Sequence, residues 1–151
     1  MGTRADYYIG KGKDAEWLGS TAFDGYPDGH GVVQTNLAVF QSTTVEDWRA
    51  GIGTMLRDRD DGTFPEHGWP WPWDDSGTTD YAYTFDEGAV WVSNSKEWVR
   101  LSEWLSWTDE QREEHYSIAT DAVFPNMKDR KNVTLGGRSG LIVIQDRKLL
   151  S

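Results

Sequence analysis

The chain has 151 residues, enough for one domain that buries roughly 70% of its unfolded surface without a covalent staple. It has no cysteine, which excludes disulfides, thiolate metal sites, iron–sulfur clusters and cysteine nucleophiles. Its formal charge of −10 is repelled by phosphate, so direct nucleic-acid binding by the whole domain is disfavoured. No apolar run approaches the roughly 18 residues of a membrane span, and none forms a signal peptide. The expectation is a soluble, cytoplasmic, unanchored protein.

In chain order, residues 4–9 (RADYYI) and 15–23 (AEWLGSTAF) predict two paired strands across the reversal GKGKD. DGYPDGHG at 24–31 is dense in turn formers. Residues 32–40 fit a strand or a helix. The clearest helix spans about 44–58, with Thr43 as N-cap and Glu46 completing a capping box. Val45, Trp48, Ile52, Met55 and Leu56 recur at helical spacing and predict its buried stripe. A long loop, 60–78, follows; loops beyond about 12–15 residues are often functional. Residues 79–85 and 89–93 predict a second hairpin with Tyr81, Tyr83 and Phe85 on one face. Residues 97–105 fit a strand or a short helix. Thr108 and Gln111 form a capping box opening a helix to about 122. LGGRSG at 135–140 reads as a turn before a strand, LIVIQ, at 141–145. With no repeat and no linker, residues 1–151 read as a single α+β domain: a mainly antiparallel sheet with two helices packed on it.

Residues 68–75 (GWPWPWDD) are the least ordinary stretch. Pro70 and Pro72 remove two backbone donors, so the segment cannot be a central strand. The backbone is stiff, and Trp69, Trp71 and Trp73 share one side of an extended chain. Such rings serve as anchors for a partner, as a platform for sugar, or as a cap on the domain's own core. Charge is uneven around them. Residues 60–95 hold eight acidic and no basic side chains, whereas 128–151 carry +4. Asp60, Asp61, Asp74, Asp75 and Asp80 therefore predict, with the three tryptophans, a face for a basic protein partner.

Other motifs are weak. RDRDDGT at 57–63 fails the EF-hand register and lacks the closing glutamate. His30, His67 and His115 show no local metal-ligand spacing. GKGKDA lacks the helix that a dinucleotide fingerprint needs, and GGRSG reads as a hairpin turn before an anion nest. No cofactor or metal is expected.

MGTRADYYIG, AEWLGSTAFDGYPDG and WPWPWDDS together resemble small uncharacterised phage and prophage proteins that open with MGTR and carry a DGYP turn. The likeness covers about the first 90 residues. It implies a phage-type accessory factor that binds and blocks a host protein, in the manner of an anti-defence inhibitor and in competition with nucleic acid. Immunity to a toxin and virion assembly are further readings. The MGTR and DGYP pair is also similar to the opening strands of N-terminal-nucleophile hydrolases. That resemblance implies a nucleophile at Thr3, freed by a cut beyond Gly2, with Asp24 and His30 as weak catalytic companions.

Overall fold

The structure, a computed structural model, describes residues 2–129, 132–135 and 138–141. Strands β1 (Ala5–Ile9) and β2 (Glu16–Thr21) form the first hairpin. Gly10 and Gly12, both at φ 84°, turn the chain between them. A bulge falls where Tyr7 pairs with Gly19 and Tyr8 with Trp17. Gly19 sits there at φ 144°; a Cβ would stand 2.5 Å from both Leu56 Cδ1 and the Thr63 carbonyl oxygen. Only glycine lets these three segments close up.

The 32–40 stretch resolves into two short helical turns, α1 (Val32–Thr35) and α2 (Leu37–Phe40). Asn36 separates them, its Nδ2 donating to the Val32 carbonyl at 2.9 Å in competition with the helix ladder. The helix α3 (Val45–Arg57) buries Trp48, Ile52, Met55 and Leu56 as its spacing predicts. Its cap is Thr44 rather than Thr43: the Thr44 hydroxyl accepts the Asp47 N–H at 3.1 Å. The 60–78 loop holds a two-residue strand, β3 (Gly62–Thr63), and a 3₁₀ turn at Pro65–His67. β4 (Tyr81–Asp86) and β5 (Ala89–Ser93) make the second hairpin. The ambiguous 97–105 segment is both things in turn: β6 (Val99–Arg100), then α4 (Leu101–Ser106).

The capping box at Thr108 and Gln111 opens α5 (Asp109–Ile118), which ends four residues before the expected limit. The following residues pair instead with 95–97: Glu97 N–H donates to Thr120 and Ala122 N–H to Ser95. Extended pairing takes over where the helix ends. Strands β7 (Asn132–Leu135) and β8 (Arg138–Leu141) form a separate antiparallel pair. Of the expected strand at 141–145, only Leu141 lies within the described residues.

Six strands make one mixed sheet in the order β3-β2-β1-β4-β5-β6. All pairings are antiparallel except the central one, β1 with β4. Alternation then builds two cores. Ala5, Tyr7, Tyr83 and Phe85 face the helices, packed with Phe40, Trp48, Ile52 and Leu56. Tyr8, Trp17 and Ala82 face the other way. Among the described residues no α-helix joins that second cluster; Trp69, Trp98, Phe124 and Met127 pack there instead. The WPWPW loop is thus a strap across the back of the sheet.

Candidate functional site

The strap is held by its own indoles. Trp69 Nε1 donates to the Trp73 carbonyl at 2.7 Å, Trp71 Nε1 to Asp6 Oδ1 at 2.8 Å, and Trp73 Nε1 to Thr79 Oγ1 at 2.9 Å. Trp69 meets Trp17 edge-on at 5.2 Å. Trp71 and Trp73 stack at 5.7 Å, with the Arg4 guanidinium 5.8 and 5.4 Å from their centroids. All three rings are half-buried, while Pro70 and Pro72 are exposed. Ser95 Oγ binds the Gly77 carbonyl, and Met127 N–H binds that of Asp74, so the strap is tied from both sides.

Beneath it lies Asp6, 0% exposed. Ser20 Oγ and Trp71 Nε1 donate to Oδ1, and Ser76 Oγ donates to Oδ2 at 2.6 Å. Ser20 also accepts from Trp17 Nε1, and Ser76 Oγ is hydrogen-bonded to Tyr8 Oη at 2.5 Å. Burial pushes the Asp6 carboxyl above its ordinary value of 3.8; the hydroxyl and indole donors pull the other way. Asp6, Ser20, Ser76, Tyr8 and Trp17 are each at most 1% exposed, so the carboxyl is closed to substrate. Its place is structural: it joins β1 and β2 to the strap.

The surface chemistry gathers at one end of the sheet. Ala5 pairs with both Thr21 and Tyr81, Thr21 with Gly62, and Ala82 with Ser93. The starts of β1 and β4 and the ends of β2 and β5 therefore coincide, and their loops converge. Three adjoining clefts open there. One is lined by Phe23, Asp24, Arg59, Asp60 and Asp61. A second holds Asp28, Tyr81, Trp104, Asp109, Arg112, Glu113 and Tyr116. A third holds Asp75, Lys96, Tyr116 and Asp121. Tyr116 is the shared wall of the last two.

Every cation that the described residues place on this rim is engaged within the molecule. Arg59 is bound to Asp61 at 2.7 Å and to Asp24 at 3.3 Å, Arg4 to Asp80 at 3.5 Å, Lys96 to Asp121 at 3.0 Å, and Arg112 to Asp28 at 2.5 Å. Burial disfavours the Asp61 charge. The Arg59 guanidinium and the Phe23 N–H outweigh it and hold that carboxyl below its ordinary range. Tyr81 is pushed up, by burial first and then by Asp28. Asp60, Asp75 and Glu113 are left without a cationic partner among the described residues. Phe23, 52% exposed, and Tyr116, 44% exposed, add aromatic surface beside them.

The sequence-derived residues fall on this frame unevenly. Asp60, Asp61, Asp75 and Asp80 share the rim, whereas Asp74 lies at the strap's other tether, 3.8 Å from Lys128. Trp69, Trp71 and Trp73 sit behind the rim as its rigid backing. Thr3, Asp24 and His30 lie on loops at this same end. Among the described residues no hydrogen bond or ion pair joins them: the Thr3 carbonyl accepts Gly25 N–H, Asp24 is engaged by Arg59, and His30 is exposed. Sequence reasoning missed Asp28, Asp109, Glu113, Tyr116 and Asp121, whose convergence depends on strand order. It also missed Asp6, for which there was a signal: a carboxylate inside an otherwise apolar strand. Comparisons of the chain with protein-family models, curated proteins and solved structures find no match.

Proposed function

We propose that the protein is an interaction protein, a phage-type accessory factor of the host cytoplasm that binds and blocks a host protein through the acidic rim. The observation that carries this reading is that the cations which the described residues place on the rim are all engaged internally, which leaves Asp60, Asp75 and Glu113 without a cationic partner among the described residues. A partner rich in Lys and Arg supplies what the rim lacks. Exposed Phe23 and Tyr116 give such a partner apolar contact, and the strap gives a backing that loses little entropy on docking. The mechanism is steric occupation of a basic surface, one that otherwise holds nucleic acid, with electrostatic steering raising the association rate.

The test is capture from bacterial lysate on immobilised protein, followed by kinetics with the purified partner. A basic protein is expected, with an association rate that falls as salt rises. Asp60→Asn, Asp75→Asn and Glu113→Gln combined, none of which breaks an ion pair, should weaken binding at least tenfold. Unchanged binding by that variant refutes the rim as the docking face.

A further inference from the structure

At the opposite end of the strands, beside the β4–β5 turn, lies a groove with different chemistry. Val33, Leu37, Phe40, Val90, Leu101 and Leu105 line it, drawn from α1, α2, β5 and α4, and its volume is about 300 Å³. None of its lining residues is charged, in a molecule whose described residues include 24 acidic and only 11 basic ones. At its lip stand Gln41, Thr43 and Ser102, exposed and with no side-chain hydrogen bond among the described residues. Leu37, on the wall, is 41% exposed although it belongs to the apolar lining.

We infer that this groove is a binding site for a small, neutral, largely apolar molecule of about two-ring size that carries one hydrogen-bonding head. The size follows from volume: an apolar cavity of about 150 Å³ accepts one benzene ring in a well-studied unrelated protein, and this groove has about twice that space. The neutrality follows from charge. An anion is repelled by the surplus of carboxylates, and a cation finds in the groove none of the counter-charges that the rim offers. The head group belongs at the lip, where one amide and two hydroxyls present both donors and acceptors. Because the groove and the rim occupy opposite ends of the sheet, this site does not depend on the partner-binding reading.

The probe is 6-propionyl-2-(dimethylamino)naphthalene, a neutral two-ring dye with one carbonyl acceptor whose emission rises and shifts to the blue in apolar surroundings. Titration should give a saturable rise at one probe per chain, with shifts of the Leu37 and Leu105 methyl resonances. Ala89→Phe, which fills the groove from β5, should weaken binding at least tenfold; Ser102→Phe, on the exposed face of α4, should do the same by narrowing the mouth. The Asp60→Asn, Asp75→Asn, Glu113→Gln variant should bind the probe as the wild type does, which separates this site from the rim. Absence of saturation, methyl shifts elsewhere, or wild-type affinity in whichever filled variant keeps a native near-UV spectrum overturns the inference.

Discussion

Asp6 concentrates the energetics of the strap in one side chain. Its two oxygens accept from Ser20, Trp71 and Ser76, so truncation to Ala strands two buried hydroxyls and the half-buried Trp71 indole. An unpaired buried polar group costs about 1–3 kcal/mol, so Asp6→Ala should lose roughly 3 kcal/mol or more in urea unfolding. Asp6→Asn keeps an acceptor for Ser20 and Trp71 and can donate to Ser76, and should lose clearly less. The two also differ with pH. The folded-state pKa of Asp6 lies above its ordinary 3.8, so the folded chain holds this proton more tightly than the unfolded chain does. Its stabilising contribution is complete below 3.8 and is lost as pH rises through the folded value. Asp61 has the opposite sign: its lowered pKa stabilises above 3.8 and fails as pH falls through the folded value. Removing the Asp6 titration should therefore make stability climb more steeply with pH. Urea unfolding of wild type and Asp6→Asn at about pH 4.5 and 7 checks this; a constant difference between them contradicts it.

At the scale of elements, α3 shows how packing overrides propensity. Both of its glycines cost roughly 1 kcal/mol relative to alanine by intrinsic preference. A Cβ on Gly53 would meet only the flexible Arg57 guanidinium, at 3.5 Å, so Gly53→Ala should stabilise by about 0.5–1 kcal/mol. A Cβ on Gly51 would stand 2.8 Å from Val39 Cγ1 and 2.9 Å from Cγ2. Gly51→Ala should therefore be neutral or destabilising, because α2 and α3 must part to admit the methyl. Thermal unfolding of the two single variants reads the difference, and equal gains would mean that α2 yields freely. The same contrast marks what the sequence revealed. Hairpins and the α3 stripe are local patterns of period two and period 3.6, and they were legible. The one-residue shift of the α3 cap was not, because Thr43 and Thr44 are chemically equal candidates. The parallel β1–β4 pairing and the early end of α5 depend on partners tens of residues away, which no local pattern encodes.

For the whole molecule the governing quantity is surplus negative charge. The acidic bias of residues 60–95 was visible in the sequence, and four of its carboxylates do share the rim. The other contributors, Asp28, Asp109, Glu113 and Asp121, come from the 24–31 turn and from α5 and its extension, brought together only by the order of the strands. Two effects of salt compete on such a surface. Screening weakens the rim ion pairs, each worth about 0–1 kcal/mol where exposed. It also weakens the repulsion among carboxylates over the whole described surface, where 24 acidic residues stand against 11 basic ones. The Debye length falls from about 30 Å at 0.01 M to about 10 Å at 0.1 M, so neighbouring clefts stop sensing one another over that range. Repulsion should win, and the melting temperature should rise by about 3 °C or more between those ionic strengths. The Asp60→Asn, Asp75→Asn, Glu113→Gln variant should start higher at low salt and gain less. A melting temperature that falls with salt would show the internal pairs to be dominant, and would leave a basic partner little unneutralised charge to meet.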